Sequence, residues 1–234
     1  MILAEVKLMP KQALVLGATG LIGQAIMQLL LEHAAYEKVR IITRRPITFS
    51  HSKLEAHVIP FDQLHRYPLL FQVDEVYCAL GTTIKKAKTK ENFRLVDFNY
   101  PYQAATIAQK QGIQQFLLVT GTGANKNSFF FYNRVKGELE EAIQKLNIPS
   151  IHIFRPSLLL GKRDEFRSKE KVAEIFMKMT EFLMIGPLTK YRAIQGEDVA
   201  KAMIQVANQN RKGYQIYDSQ ETQKLADAFT ISSS

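Results

Sequence analysis

Ala13-Leu14-Val15-Leu16-Gly17-Ala18-Thr19-Gly20-Leu21-Ile22-Gly23 is the stretch that decides the architecture. Four apolar residues run into a glycine, and apolar residues then recur at helical spacing from Leu21 to Leu31, which reads as strand, turn and helix. Outward from this unit the pattern repeats. Val39–Thr43 reads as a second strand, His57–Ile59 as a short third, Glu75–Leu80 as a fourth, Phe116–Val119 as a fifth and Ile151–Phe154 as a sixth. Helices are expected over Tyr100–Gln111 and Tyr132–Leu146. Strands that are apolar throughout are covered on both faces, and strands separated by helices run parallel. The expected fold is α/β, a doubly wound parallel sheet with helices on both faces.

Past Arg155-Pro156 the pattern loosens. A helix rich in Lys, Glu and Met is expected over Lys169–Leu183, then Gly186-Pro187, a strand at Tyr191–Ile194, a helix from Asp198 and a last strand at Tyr214–Tyr217. No internal repeat or low-complexity linker divides the chain, apart from the polar tail Ser232-Ser233-Ser234. The expectation is one domain over 1–234, with about 157–234 forming a small substrate-side lid. At 234 residues such a domain can bury a core without disulfides or structural metals.

Composition narrows the class. With 46% hydrophobic and 23% charged residues the chain reads as globular rather than disordered or fibrous. No run of about 18 apolar residues is present to span a bilayer, and the N-terminus lacks a basic leader with an apolar core. The single cysteine, Cys78, reads as a small core hydrophobe and suits a reducing compartment, so the cytoplasm is the expected location. The five histidines have no metal-ligand spacing, and no metal is expected. A net charge of +9 attracts anions of any kind. Its densest run, Lys85, Lys86, Lys88 and Lys90, reads as a solvated loop or a phosphate contact; neither nucleic acid nor membrane is an expected partner. Phe176, Met177, Met179, Phe182 and Met184 read as core or lid packing, with a partner surface as the alternative.

The spacing Gly17-x-x-Gly20-x-x-Gly23 stands where a dinucleotide site requires it, after the first strand and opening the first helix. Gly17 permits the tight turn, Gly20 the approach of a diphosphate and Gly23 close helix packing, while the helix N-terminus offers free N–H groups and partial positive charge. Ala18, Thr19, Leu21 and Ile22 complete the loop. About 20 residues on, where a site selective for NAD(H) carries a carboxylate, the chain reads Thr43-Arg44-Arg45-Pro46. A guanidinium there can bind a 2′-phosphate through charge-assisted bonds, which favours NADP(H), with NAD(H) as the second choice; the alternative is two arginines on a surface loop. Asp62 reads either as an acceptor for the adenine amino group or as a helix N-cap.

Tyr132-Asn133-Arg134-Val135-Lys136 is the only Tyr-x-x-x-Lys in the chain and places a phenol and an ammonium on one helical face. The cation favours the phenolate, so the pair can move a proton to a carbonyl or from an alcohol, and the lysine can also hold the nicotinamide ribose. Several motifs, taken together, make the chain resemble an atypical short-chain dehydrogenase/reductase of the Rossmann superfamily: Leu16 to Gly23, Cys78-Ala79-Leu80-Gly81-Thr82-Thr83, Val135-Lys136-Gly137-Glu138 and Phe154-Arg155-Pro156-Ser157. The resemblance runs from about Leu14 to Asn208. It implies that Leu80, Gly81 and Thr82 line the cofactor, that Tyr132 is the acid/base with Lys136 as its partner, and that Arg155, Pro156 and Ser157 border the nicotinamide. It also puts Asn99 where extended relatives carry a structural asparagine.

Members of this family usually offer a serine hydroxyl at the end of the fifth strand to polarise the carbonyl. This chain reads Val119-Thr120-Gly121-Thr122-Gly123, so Thr120 or Thr122 is expected to supply that hydroxyl. Three readings follow. One is an NADP(H)-dependent oxidoreductase acting on a small carbonyl or alcohol, a monomer or homodimer. Another is a non-catalytic NADPH-binding regulator or assembly partner, since a fold does not fix a function. The third is an RNA-associated protein of the same fold.

Overall fold

The computed structural model describes residues 10–161 and 192–230. Its centre is a seven-stranded sheet in the order β3-β2-β1-β4-β5-β6-β9, every neighbouring pair parallel. In chain order the strands are β1 (Lys11–Leu16), β2 (Tyr36–Thr43), β3 (Leu54–Val58), β4 (Glu75–Cys78), β5 (Gln115–Val119), β6 (Ser150–Arg155) and β9 (Gly213–Asp218). A separate two-stranded parallel ladder joins β7 (Leu159–Leu160) to β8 (Ile194–Gln195). The order reverses between β1 and β4, and the glycine turn at the end of β1 therefore opens into the crevice where such sheets bind ligands.

Alternate side chains of one strand enter different cores. In β1, Ala13 and Val15 join the face covered by α1 (Leu21–Glu32) and a later helix, while Leu14 and Leu16 join the opposite face. That opposite face is covered by α4 (Tyr100–Lys110) and α5 (Phe131–Gln144), through Ala104, Ala105, Ala108, Leu139 and Ile143. Strand residues are apolar at consecutive positions because each face has its own helical layer. Fully burying each Leu or Ile contributes about 1.5–3 kcal/mol.

Between β4 and α4 the chain makes two short helices, α2 (Ile84–Ala87) and α3 (Lys90–Arg94), each started by a threonine side-chain cap, Thr83 and Thr89. A π-helical turn over Leu95–Asn99 then leads into α4. The extra residue of such a turn re-aims side chains, and it is often found at functional sites.

The expected lid is only partly within the described residues, and the part that is described is built into the body. The helix α6 (Gly196–Asn208) buries Val199, Met203 and Val206 in the core it shares with α1, and β9 extends the sheet beside β6. The last helix, α7 (Ser219–Asp227), follows at once. The region is amphipathic, with one apolar face per element, and docking on the sheet buries that face. The helix expected at Lys169–Leu183, the Gly186-Pro187 break, Tyr191, the Met and Phe set and the Ser232–Ser234 tail lie outside the described residues.

Candidate functional site

The glycine turn has the geometry that its spacing predicts. Gly17 has φ +87°, and a Cβ there would stand 2.6 Å from the Ala79 carbonyl oxygen, so the turn is pressed against the end of β4. A Cβ on Gly23 would come within 2.1 Å of the Gly17 carbonyl oxygen. Gly20, by contrast, meets only the Gly17 carbonyl oxygen, at 3.3 Å, and is exposed. It caps α1 with no side-chain hydrogen bond, and no acidic residue occupies the first turn. The first N–H groups of a 12-residue helix thus face the crevice without an internal anion to neutralise them. Turn and helix together fit the diphosphate of a dinucleotide.

Leu80, Gly81 and Thr82 continue from β4 past this turn, with Leu80 and Thr82 half-buried and Gly81 exposed. Arg44 and Arg45 are exposed just beyond β2, where the buried Thr43 hydroxyl donates to the Arg45 carbonyl at 2.8 Å and sets the bend. Asp62 lies in the first turn of a 3-10 helix, Phe61–Arg66, whose N-cap is Pro60. The N-cap alternative for Asp62 is thereby corrected. Arg44 and Asp62 converge on Tyr100: burial and the Asp62 charge raise that phenol's pKa while Arg44 lowers it.

Tyr132 and Lys136 sit one turn apart on α5, with the ammonium 5.1 Å from the phenol ring centroid. Tyr132 reaches solvent and packs on Phe93, ring centroids 5.3 Å apart, whereas Lys136 is buried. The Lys136 ammonium donates to Asp97 Oδ1 at 2.9 Å, and Asp97 Oδ2 accepts the Thr82 N–H at 2.8 Å. Burial works against the charged lysine, but the Asp97 carboxylate and the Tyr132 side chain more than offset it, and its pKa is raised. Asp97 is the site residue that sequence reading missed. It belongs to the π-helical turn, and a Cβ on Gly81 would lie 3.5 Å from its Oδ1. Asn99, two residues on, is exposed, whereas Asp97 is buried against Lys136. The signal available was an acidic residue in an otherwise apolar run, Leu95-Val96-Asp97-Phe98.

Both threonine expectations need correcting. The Thr120 hydroxyl is buried and donates to Glu140 Oε1 at 2.6 Å, and the Thr122 hydroxyl donates to the Arg155 carbonyl at 3.1 Å. The residue that faces the phenol is Gly121, where a Cβ would lie 3.6 Å from Tyr132 Oη and 3.7 Å from Lys136 Cδ. Both positions meet α5, at different turns: Thr120 reaches Glu140 in its later half, while position 121 lies against Tyr132 and Lys136 in its first turns. Arg155 is likewise engaged: its guanidinium is bound to the Glu140 carboxylate, with Nε 3.1 Å from Oε1, and this ion pair raises the arginine pKa. Only the backbone of Arg155, Pro156 and Ser157 is left to border a ligand; Pro156 is buried, the Ser157 N–H donates to Ser219 Oγ and the Ser157 hydroxyl to the Arg192 carbonyl.

His152 and Cys78 lie inside the sheet, with burial pushing the thiol up to about 12, so neither acts in the crevice. Among the described residues no group of His, Cys, Asp and Glu could hold a metal ion. A cavity of about 540 Å³ borders Leu21, Gln24, Gly161 and Glu197 on the α1–α6 side, and neither Tyr132 nor Lys136 lines it. The crevice, with its charges and its glycine turn, is the better candidate for chemistry.

Comparison with known proteins agrees with this geometry. The family model described as "NAD dependent epimerase/dehydratase family" matches residues 13–127. Protein HTATIP2 of Rattus norvegicus is 35% identical over 176 residues, 74% of this chain and 72% of that protein. Protein FMP52, mitochondrial, of Debaryomyces hansenii is 34% identical over 204 residues, 84% and 88% of the two chains. Among solved structures, the Bordetella bronchiseptica enzyme WbmH in complex with NAD+ superposes with a TM-score of 0.68 at 16% identity, over 93% of this chain and 80% of that one. With a glycine turn at the reversal point of a parallel sheet and these relatives, the chain belongs to the NAD dependent epimerase/dehydratase family as an atypical, NAD(P)-binding short-chain dehydrogenase/reductase.

Proposed function

We propose that the protein is an NADP(H)-dependent oxidoreductase of a small carbonyl or alcohol, with Tyr132 as acid/base. The observation that carries this reading is the Tyr132 phenol beside a buried, ionised Lys136 at the crevice end of β5. The nicotinamide supplies hydride chemistry when bound. The free N–H groups of the α1 N-terminus beside Thr19, Gly20 and Leu21 would hold the diphosphate, Gly17 and Gly23 keep that turn tight with Ala18 and Ile22 anchored in the core, and Arg44 and Arg45 would take the 2′-phosphate. Tyr132 Oη donates its proton to the carbonyl oxygen on reduction, or accepts it from the alcohol on oxidation. Lys136 provides the countercharge for the phenolate, and Asp97 keeps the ammonium in place. Because Gly121 brings no hydroxyl, Tyr132 is the one side-chain donor assigned to the substrate oxygen.

Replacing Arg44 and Arg45 by Glu is expected to weaken NADPH binding by about 10–100-fold while changing NADH binding little, measured by titration of cofactor fluorescence. Tyr132→Phe is expected to abolish substrate-dependent NADPH oxidation, at least 100-fold in kcat, with cofactor affinity retained. Absence of turnover on a broad panel of aldehydes, ketones and alcohols would sink the catalytic reading. The same absence of a hydroxyl at Gly121 favours a second reading, an NADPH-binding regulator, whose affinity for a protein partner should change with NADPH. A partner pulled down equally with and without cofactor would remove it.

A further inference from the structure

Beside the crevice mouth the protein holds two phenylalanines out into solvent. Phe129 is 93% exposed and Phe130 69%, their rings edge to face at 6.1 Å. Their turn is not slack. Arg134 donates through one guanidinium nitrogen to the Ser128 and Phe129 carbonyls, the Phe130 N–H donates to Ser128 Oγ, and the Ser128 N–H donates to the Asn125 carbonyl. Leaving such rings in water is unfavourable, so a hydrogen-bonded turn that fixes them outward marks a contact surface.

The surroundings say what kind of contact. Helices α2 and α3 pack against the start of α5 through Ala87, Phe93 and Val135, with Phe131 beside them. Lys90 Nζ stands 5.5 Å from the Phe131 ring centroid and the Arg134 guanidinium 5.9 Å. Lys85, Lys86 and Lys88 are exposed on the same pair of helices, next to Ile84 at 44% exposure. The nearby acids are largely answered: Glu138 pairs with Arg94 and Glu141 with Lys126, leaving Glu91 as the exposed carboxylate of α3.

From this we infer that the Phe129–Phe130 tip and the lysines of α2 and α3 dock the protein on an anionic lipid bilayer, the rings entering the interface and the lysines meeting the headgroups. Such docking departs from the expectation of no membrane contact. Aromatic rings favour the depth of the lipid headgroups, and lysines near them are drawn by the negative surface potential. A stacking platform for nucleic acid would lie along a groove, whereas this pair projects into solvent with its rings edge to face. No described helix is long and apolar enough to cross a membrane, so the contact is peripheral.

The test is co-sedimentation of the full chain with phosphatidylcholine vesicles, alone or with about 30% phosphatidylserine, at low and at physiological salt. The serine lipid is expected to increase binding at least tenfold, and either Phe129→Ser/Phe130→Ser or Lys85→Glu/Lys88→Glu to remove that gain with melting temperature and NADPH affinity retained. No binding to anionic vesicles, or binding untouched by the phenylalanine pair, overturns the inference. So does a dimer in gel filtration that the phenylalanine variant dissolves while vesicles stay unbound, or single-stranded RNA captured through both sets of residues in place of vesicles. None of these readouts depends on turnover, so the bilayer contact and the proposed oxidoreductase activity stand or fall separately.

Discussion

Gly121 concentrates the question that the site poses at the level of single residues. A side chain there would meet Tyr132 Oη and the Lys136 stem at 3.6–3.9 Å, which is ordinary contact, so a small residue fits. Gly121→Ser is expected to leave stability within about 0.5 kcal/mol and to raise kcat/KM for carbonyl reduction about tenfold, through one added hydrogen bond to the substrate oxygen. Steady-state kinetics on the best substrate of the panel checks this, and an unchanged or lower kcat/KM counts against Gly121 as the carbonyl-facing position. The glycines of the first turn were legible in the chain because their roles are local, set by φ at Gly17 and by contact with the adjoining strand end. Which of Thr120, Gly121 and Thr122 meets Tyr132 was not. It depends on how the chain leaves β5 along α5 and on a Glu140 carboxylate of that helix.

At the scale of elements, the strands and long helices follow their periodicity, and the departures are short. The α2, α3 and π-helical segments have too few residues for a helical repeat to show, and polar lysines mask their one buried face, Ala87 and Phe93. The helix α7 starts at a capping box, Asp218-x-x-Glu221, and the structure realises both of its hydrogen bonds. A fastening at the N-terminal end of the central strands also spans several elements. Glu75, buried at the start of β4, accepts from Lys11 Nζ at 2.7 Å, from Tyr36 Oη at 2.7 Å and from Tyr77 Oη at 2.8 Å. Gln115 Nε2 ties the same carboxylate, at 3.3 Å, to the Ala207 carbonyl at the end of α6. Glu75→Gln leaves a lysine charge without its counterion and is expected to cost about 3 kcal/mol in urea unfolding. Lys11→Met combined with Glu75→Leu should recover much of that loss, because it removes the charge along with its partner.

For the molecule as a whole, the acid side of the stability curve is set in part by His152. The ring is buried between β5 and β9 beside Tyr217, its Nε2 has no hydrogen-bond partner, and burial pushes its pKa down to about 4. The unfolded chain takes up the proton near pH 6.5. Between those values the unfolded state binds more protons, so stability is complete above about pH 6.5 and is lost as pH falls toward 4. His33, lowered by burial and then by Lys11 and Lys53, adds in the same direction. Thermal unfolding should show a loss of about 1–3 kcal/mol from pH 7 to pH 4.5 that is smaller in His152→Gln. A wild-type profile flat over that range would contradict the burial argument.

Strand–turn–helix alternation, the double apolar faces and the glycine spacing were all present in the chain, because each is enforced by backbone geometry within about ten residues of itself. The pairing of Lys136 with Asp97 joins residues 39 positions apart, and the binding of Arg155 to Glu140 joins residues 15 apart. Those partnerships rest on which helix packs over which strand end. So does the outward stance of Phe129 and Phe130, which in the chain are merely the first two of three phenylalanines before Tyr132. A charge or a ring acquires a role only when folding decides whether another side chain, a backbone carbonyl or solvent stands opposite it.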